Sequence, residues 1–405
     1  MEENMVQVAI LGYGTVGSGV YEVLKTNRDS IKEKAGDEIC VKYVLDLRDF
    51  PGDPVEEVLV HDYEVIVNDP EVDIVVEVMG GIEPAHTFAK RALEAGKSVA
   101  TSNKAMVAQC GQELCRIARE KNINFLFEAS CGGGIPIIRP LYHALTAEVI
   151  DEITGILNGT TNYMLYKMST EGSDFDEVLK EAQAKGYAEA DPTADIEGHD
   201  VCRKIAILSS IAYGKFINYE DIPTEGITKI TAVDMKYAKE LGMAIKLLGT
   251  SRREGDQVYA LVAPYLVGPS SQLYSVNDVF NGIFVHGNML GDAMFYGSGA
   301  GKLPTASAVT ADIIEEAKNL HKNVTYGLSE ENMQLMSVDN VVGRYFVRFQ
   351  GTEAEAESVF GPLDHVMDQI EEGEIGFVTG QMSFGEYQKK AEELGRIVQM
   401  IRVKD

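Results

Sequence analysis

The chain has 405 residues, 45% hydrophobic and 24% charged, a composition of water-soluble globular proteins with room for two or three domains. Its formal net charge of -27 excludes nucleic acid and anionic membrane surfaces as partners, because either polyanion would be repelled. Five scattered cysteines without Cys-x-x-Cys spacing exclude a disulfide framework and a zinc site, and no apolar window reaches the roughly 18 residues of a membrane span.

The first residues, Met1-Glu2-Glu3-Asn4-Met5-Val6, lack the basic region of a signal peptide. With unpaired thiols, this predicts a cytoplasmic protein. A short apolar strand, 6–11, then runs into Gly12-Tyr13-Gly14-Thr15-Val16-Gly17 and the opening of a helix. The first glycine permits the tight turn, the second admits a pyrophosphate to the backbone, and the third lets the helix pack on the strand. The free N–H groups of Thr15, Val16 and Gly17 then face the phosphates. The alternative is an ordinary strand–helix turn.

Further apolar runs at 41–45, 65–67, 74–78, 99–100 and 125–127, separated by helical patterns, predict a parallel sheet covered on both faces, a Rossmann-type doubly wound α/β domain over 1–135. Asp46, after the second run, stands where an acid accepts the ribose hydroxyls, or else is a turn residue. A charged insertion at 25–38 lengthens the interval to it. Lys104 follows Ser102-Asn103 at the carboxyl edge of the same sheet, where ligands bind in such folds.

From 136 the texture changes to longer mixed elements, an α+β domain over 136–301, with helices at 174–185 and 198–213 and strands at 258–267 and 280–289. Glu128, with backbone carbonyls of the loop Cys131-Gly132-Gly133-Gly134-Ile135, offers oxygen-only ligands to a hard monovalent cation. A rival role for Cys131, a thiolate attacking an aldehyde, lacks a local basic partner. Asn158-Gly159-Thr160-Thr161-Asn162, after a strand at 153–157, presents amides and hydroxyls to a carboxylate, or is only a turn.

The stretch from Gly186 to Lys204 packs carboxylates ahead of a helix. Asp200 and Lys204, four apart, share a helix face, either as a surface ion pair worth under about 1 kcal/mol or as working groups. In the second case Glu189 and Asp200 anchor a substrate amine or hydroxyl, and Lys204 donates a proton to a carbonyl oxygen, a role that suits a lysine beside a carboxylate. A glycine-rich return at 297–305, containing Gly301, leads into a helix at 306–317 that completes the nucleotide domain over 302–325, unless it is a flexible linker. The tail alternates a strand at 341–349, a helix at 359–370, a strand at 375–379 and a helix at 384–400, a small βαβα module over 340–405.

Together these motifs resemble the homoserine dehydrogenase family over about residues 5–325. The resemblance implies NAD(P)-dependent hydride transfer between L-homoserine and L-aspartate 4-semialdehyde on the route to threonine and methionine. It implies substrate binding by Glu189 and Asp200, proton donation by Lys204, a catalytic place for Lys104 beside nicotinamide and substrate, and cofactor contacts at Gly186 and Gly301. Glu128 with the carbonyls of Cys131, Gly133 and Ile135 matches the family's structural sodium site. Many members carry an arginine immediately before the strand-end acid to hold the 2′-phosphate of NADP; here Leu45 precedes Asp46 and Arg48 follows, which favours NAD with NADP open.

The tail resembles an ACT domain, but the usual Asp-x-Pro-Gly-Val-Leu turn is replaced by Gln350-Gly-Thr-Glu-Ala-Glu-Ala-Glu. With no kinase-sized region ahead of it, the chain reads as a monofunctional enzyme and a homodimer or higher oligomer. Two rivals are an NAD(P)-binding regulator that senses amino acids, and a Cys131-dependent phosphorylating aldehyde dehydrogenase.

Overall fold

The computed structural model describes residues 5–324 and 327–404; the N-terminal reading of residues 1–4 and the last position of the completing segment, 325, lie outside the described residues. The chain divides into two compact units. One comprises residues 1–148, 206–218 and 297–333, and the other 149–205, 219–296 and 334–405.

The first unit is built on strands β1 (Met5–Leu11), β2 (Glu38–Leu45), β3 (Leu59–Val60), β4 (Ile74–Glu77), β5 (Ser98–Thr101) and β6 (Phe125–Leu126). They form one sheet in the order β3-β2-β1-β4-β5-β6, parallel at every pairing. This is the doubly wound nucleotide-binding order. Val6, Val8 and Ile10 of β1 pack with Val20 and Leu24 of the helix Thr15–Thr26 and with Ala306, Val309 and Ile313 of the helix Lys302–Lys318. Ala9 and Leu11, pointing the other way, are buried as well, so both faces are covered.

The apolar run 65–67, expected as a strand, lies in the short helix Tyr63–Val67, which Asp62 caps through a bond from Glu64 N–H. The charged insertion forms a second short helix, Arg28–Ala35, stopped by Gly36 in the left-handed region.

The second unit holds a sheet of ten strands: β7 (Ile150–Ile156), β8 (Ala244–Glu254), β9 (Gln257–Val267), β10 (Phe280–Gly287), β11 (Gly291–Ser298), β12 (Val342–Phe349), β13 (Asp364–Met367), β14 (Ile375–Val378), β15 (Met382–Ser383) and β16 (Ile397–Lys404). Their order is β11-β10-β7-β8-β9-β16-β12-β14-β13, with β15 on β12. β16 pairs parallel with β9 and antiparallel with β12, so the C-terminal segment continues the sheet of its unit.

That segment has more strands than the expected βαβα. The helix expected at 359–370 runs instead over Glu353–Phe360 and is followed by β13, and the last helix stops at Leu394 before β16. Arg348 of β12 is buried between Asp234, 2.7 Å from Nη1, and Glu374, 2.5 Å from Nε. It ties the segment to the helix Ala232–Glu240.

Candidate active site

In the first unit, β1 is followed by Gly12, whose φ of +97° only glycine adopts readily, and whose N–H donates to Leu45 O at 2.8 Å. A Cβ on Gly17 would stand 1.9 Å from Gly12 O, so the helix sits directly on the turn. At Gly14 a Cβ would meet nothing within 4 Å, and no side chain caps the helix that begins there. The N–H groups of its first turn thus have no side-chain cap, which suits a helix start that accepts a pyrophosphate. Gly301, at φ +118°, begins the helix Lys302–Lys318, also without a side-chain cap, and a Cβ on Gly19 would lie 2.9 Å from Lys302 O. The starts of the two helices are thus packed together.

Asp46 lies at the end of β2 and accepts Tyr13 N–H at 2.8 Å. Arg48 grips it with Nε at 2.9 Å and Nη2 at 2.9 Å, on one oxygen each. The guanidinium first, then the backbone N–H groups of Tyr13 and Arg48, hold this carboxyl well below the usual carboxylate range. Arg48 itself is largely exposed and lies over the Phe50 ring.

Lys104 opens the helix Lys104–Lys121, capped by Asn103, which accepts Met106 N–H at 3.1 Å and donates to Gly81 O at 2.6 Å. Beside them is a carboxylate that the sequence reading overlooked. Glu77, the last residue of β4, is fully buried and accepts Thr101 Oγ1 at 2.6 Å and Met79 N–H at 2.8 Å. Burial pushes its pKa up to about 7. Its position inside an apolar strand run hid it.

Glu128 is buried, and its carboxylate accepts the N–H groups of Ile137 at 2.6 Å, Ile138 at 2.9 Å and Arg139 at 2.6 Å. Gly132 and Gly133 adopt positive φ, and a Cβ on Gly133 would lie 2.5 Å from the Gly299 carbonyl, so this loop is closely packed. Among the described residues no group of three or more His, Cys, Asp or Glu is arranged to hold a metal ion. A cation here would depend on Glu128 and backbone carbonyls, a donor set that suits a hard ion. Cys131 is fully buried, the reverse of the exposed, electropositive setting of a nucleophilic thiolate. Asp312, also overlooked, pairs with Arg139 at 2.5 Å, and burial raises its pKa to about 8.

The helix His199–Tyr213, whose residues 199–205 belong to the second unit, carries Asp200 in its first turn and Lys204 one turn on. Both side chains are buried, so the pair is no surface ion pair. Lys204 Nζ donates to Asp200 Oδ2 at 2.8 Å and to Leu157 O, just beyond β7, at 2.7 Å. Asn158 is the third member. Its Oδ1 caps the helix Gly159–Glu171 by accepting Thr161 N–H, while Nδ2 donates to Asp195 at 2.7 Å and to Asp200 at 2.9 Å. Asn158 and Lys204 thus both donate to Asp200 Oδ2.

Glu189 stands exposed between helices, its carbonyl accepting from Gln183 at 3.1 Å, and its carboxylate is not joined to the Asp200 group among the described residues. Gly186, at φ +74°, ends the helix Phe175–Ala184, with open space where a Cβ would be.

Residues 12–128 match the family model described as homoserine dehydrogenase, NAD binding domain, and residues 136–314 match the model described as homoserine dehydrogenase. The chain is 40% identical to a homoserine dehydrogenase of Synechocystis, over 97% of this chain and 96% of that one, and 39% identical to one of Bacillus subtilis, over 88% and 84%. Its structure is similar to the crystal structure of a homoserine dehydrogenase from Thiobacillus denitrificans, with a TM-score of 0.91 and 35% identity over 99% of both chains. It is also similar to a hyperthermophilic archaeal homoserine dehydrogenase in complex with NADPH, with a TM-score of 0.67 and 30% identity over 78% of this chain and 100% of that one.

Proposed function

Because the chain belongs to the homoserine dehydrogenase family and is an NAD(P)-dependent oxidoreductase acting on a CH–OH group, we propose a division of labour among its residues. Lys204 is the proton donor to the carbonyl oxygen of L-aspartate 4-semialdehyde in the reducing direction. Asp200 holds Lys204 and binds substrate, and Glu189 attracts the substrate ammonium. The observation that carries this reading is the buried Lys204–Asp200 pair, anchored by Asn158. Two charges are removed from water at a cost that a surface ion pair never incurs.

Gly12, Gly14, Thr15, Val16 and Gly17 would hold the pyrophosphate, Asp46 the adenosine ribose, and Gly186 and Gly301 further parts of the dinucleotide. Lys104 would lie beside the nicotinamide and the substrate. When bound, the nicotinamide supplies or accepts the hydride. The chain's own work is then to orient the substrate and to hold a proton ready at Lys204 Nζ, with no covalent intermediate.

Asp46 favours NAD, while Arg48 leaves NADP open. Glu128 and the carbonyls of Cys131, Gly133 and Ile135 would hold a structural sodium ion. The tail, read as ACT-like, serves assembly of a homodimer or higher oligomer, and the enzyme works in the cytoplasm in threonine and methionine biosynthesis.

The test is oxidation of L-homoserine in phosphate-free buffer with NAD and NADP in parallel, for the wild type and Lys204→Ala. Turnover by the wild type and its loss in the variant support the assignment; equal turnover in both removes Lys204 from it. Activity that requires phosphate and vanishes in Cys131→Ala would support the aldehyde dehydrogenase reading.

A further inference from the structure

The second unit buries a second lysine that this scheme does not use. Lys246, on β8, is 2% exposed, and its Nζ donates to Val276 O at 2.5 Å, Asn277 Oδ1 at 2.9 Å and Asn162 Oδ1 at 3.3 Å. All three acceptors are neutral. Among the described residues no carboxylate touches it, so this ammonium is buried without an ion-pair partner, an arrangement that costs free energy unless its donors are all engaged.

Its acceptors connect it to the first turn of the helix Gly159–Glu171. Asn162, fully buried there, receives Lys246 on Oδ1 and sends Nδ2 to Val276 O at 3.2 Å, Asp278 O at 2.9 Å and Phe280 O at 3.1 Å. Three residues earlier, Gly159 is packed as tightly. A Cβ on Gly159 would lie 2.7 Å from Val279 O. The ammonium and the Asn162 amide therefore clamp the segment 276–280 onto the turn that Asn158 caps, and Asn158 is the residue that holds Asp200.

We propose that Lys246 is a positioning residue for the reaction: by clamping the segment 276–280 to the first turn of the helix Gly159–Glu171, it fixes Asn158, and through it the Asp200–Lys204 pair. The inference rests on the roles proposed for Asp200 and Lys204. Removing the ammonium takes the donor from the buried Asn162 Oδ1 and leaves Val276 O with the longer 3.2 Å bond from Asn162 Nδ2, so the turn relaxes toward other partners. A shift of that turn moves Asn158, and a displacement of a catalytic group by about 1 Å can cost up to about a hundredfold in rate.

The experiment is a double-mutant cycle in the full chain with Lys246→Met, which keeps much of the length and removes the donors, Asn158→Ala, and the pair, with Lys204→Ala alongside. We expect Lys246→Met to lower kcat about tenfold or more with cofactor Kd unchanged, and the double variant to be no slower than Asn158→Ala alone. If Lys204→Ala keeps wild-type turnover, the earlier assignment falls and takes this one with it. If Lys204→Ala loses turnover while Lys246→Met lowers only Tm, or its cost multiplies with that of Asn158→Ala, this proposal alone is overturned. Should Lys246→Met fail to fold, Asn277→Ala removes one acceptor from a half-buried position; a two- to threefold loss of kcat supports the clamp, and an unchanged kcat overturns it.

Discussion

Lys204 Nζ lies 2.8 Å from Asp200 Oδ2, and the lysine has its second bond to a backbone carbonyl rather than to solvent. A group so held resists reorientation, which suits the general acid proposed for it. Lys204→Ala should therefore lower kcat by roughly 10²- to 10⁴-fold with cofactor affinity kept, measured by steady-state rates and by nicotinamide fluorescence. The same change removes the countercharge of the buried Asp200 and leaves it the neutral Asn158 amide, so stability should fall by about 3–5 kcal/mol in urea unfolding. A variant that unfolds like the wild type would show that Asp200 does not depend on this lysine.

Asp46 and Arg48 form a bidentate pair at the place proposed for the adenosine ribose, so each controls the charge the other presents. Asp46→Ala removes the acceptor of the 2′-hydroxyl and releases the guanidinium. The ratio of kcat/KM for NADP over that for NAD should rise by tenfold or more, each tenfold being about 1.4 kcal/mol. Arg48→Ala should move the ratio the other way. No change in either variant would place the ribose elsewhere.

Gly14 and Gly17 are three residues apart, and their substitution separates folding from binding. A Cβ on Gly17 would meet the Gly12 carbonyl at 1.9 Å, so Gly17→Ala should cost about 1–3 kcal/mol or more and lower Tm without any cofactor present. A Cβ on Gly14 would meet nothing, so Gly14→Ala should melt like the wild type and yet lose at least tenfold in cofactor affinity by filling the space proposed for the pyrophosphate. Calorimetry with and without NAD distinguishes the two, and wild-type affinity in Gly14→Ala would remove that assignment.

The nucleotide turn was legible because its constraints are local: Gly12 takes a positive φ at the turn, and Gly17 packs directly on the Gly12 carbonyl. The Asp200–Lys204 pair was legible as a spacing, but its burial was not, since burial depends on Asn158 and Leu157 from another stretch of chain. The tail was misread where two periods coincide. Ile397, Met400 and Ile401 are spaced for a helix face, yet they belong to β16, whose partners Tyr265–Val267 and Arg344–Phe349 are far away in sequence. The true start of the helix Glu353–Phe360 was written locally, in the reciprocal bonds between Thr352 and Glu355, and the break after it in Gly361-Pro362. Glu77 and Lys246 were invisible for the opposite reason: a charged residue inside an apolar run looks like a strand edge until the fold closes over it.

Glu77 supplies a pH-dependent prediction. Its pKa is raised by burial from the ordinary carboxylate value to about 7, so between roughly pH 4.5 and 7 the folded chain holds a proton that the unfolded chain has released. Folding then binds protons over this window, and the contribution of Glu77 to stability is lost as pH rises through it, amounting to about 3 kcal/mol above pH 7. Glu77→Gln removes the ionisation while its carbonyl still accepts Met79 N–H and its amide donates to Thr101 Oγ1. The variant should match the wild type at pH 4.5 and exceed it in urea unfolding at pH 8. Equal stabilities at both pH values would mean that the bonds from Thr101 and Met79 keep Glu77 ionised throughout. Because Glu77 ends β4 next to Val78 and Met79, which border Gly12, the same titration should leave cofactor affinity in Glu77→Gln flat between pH 6 and 8 where that of the wild type changes.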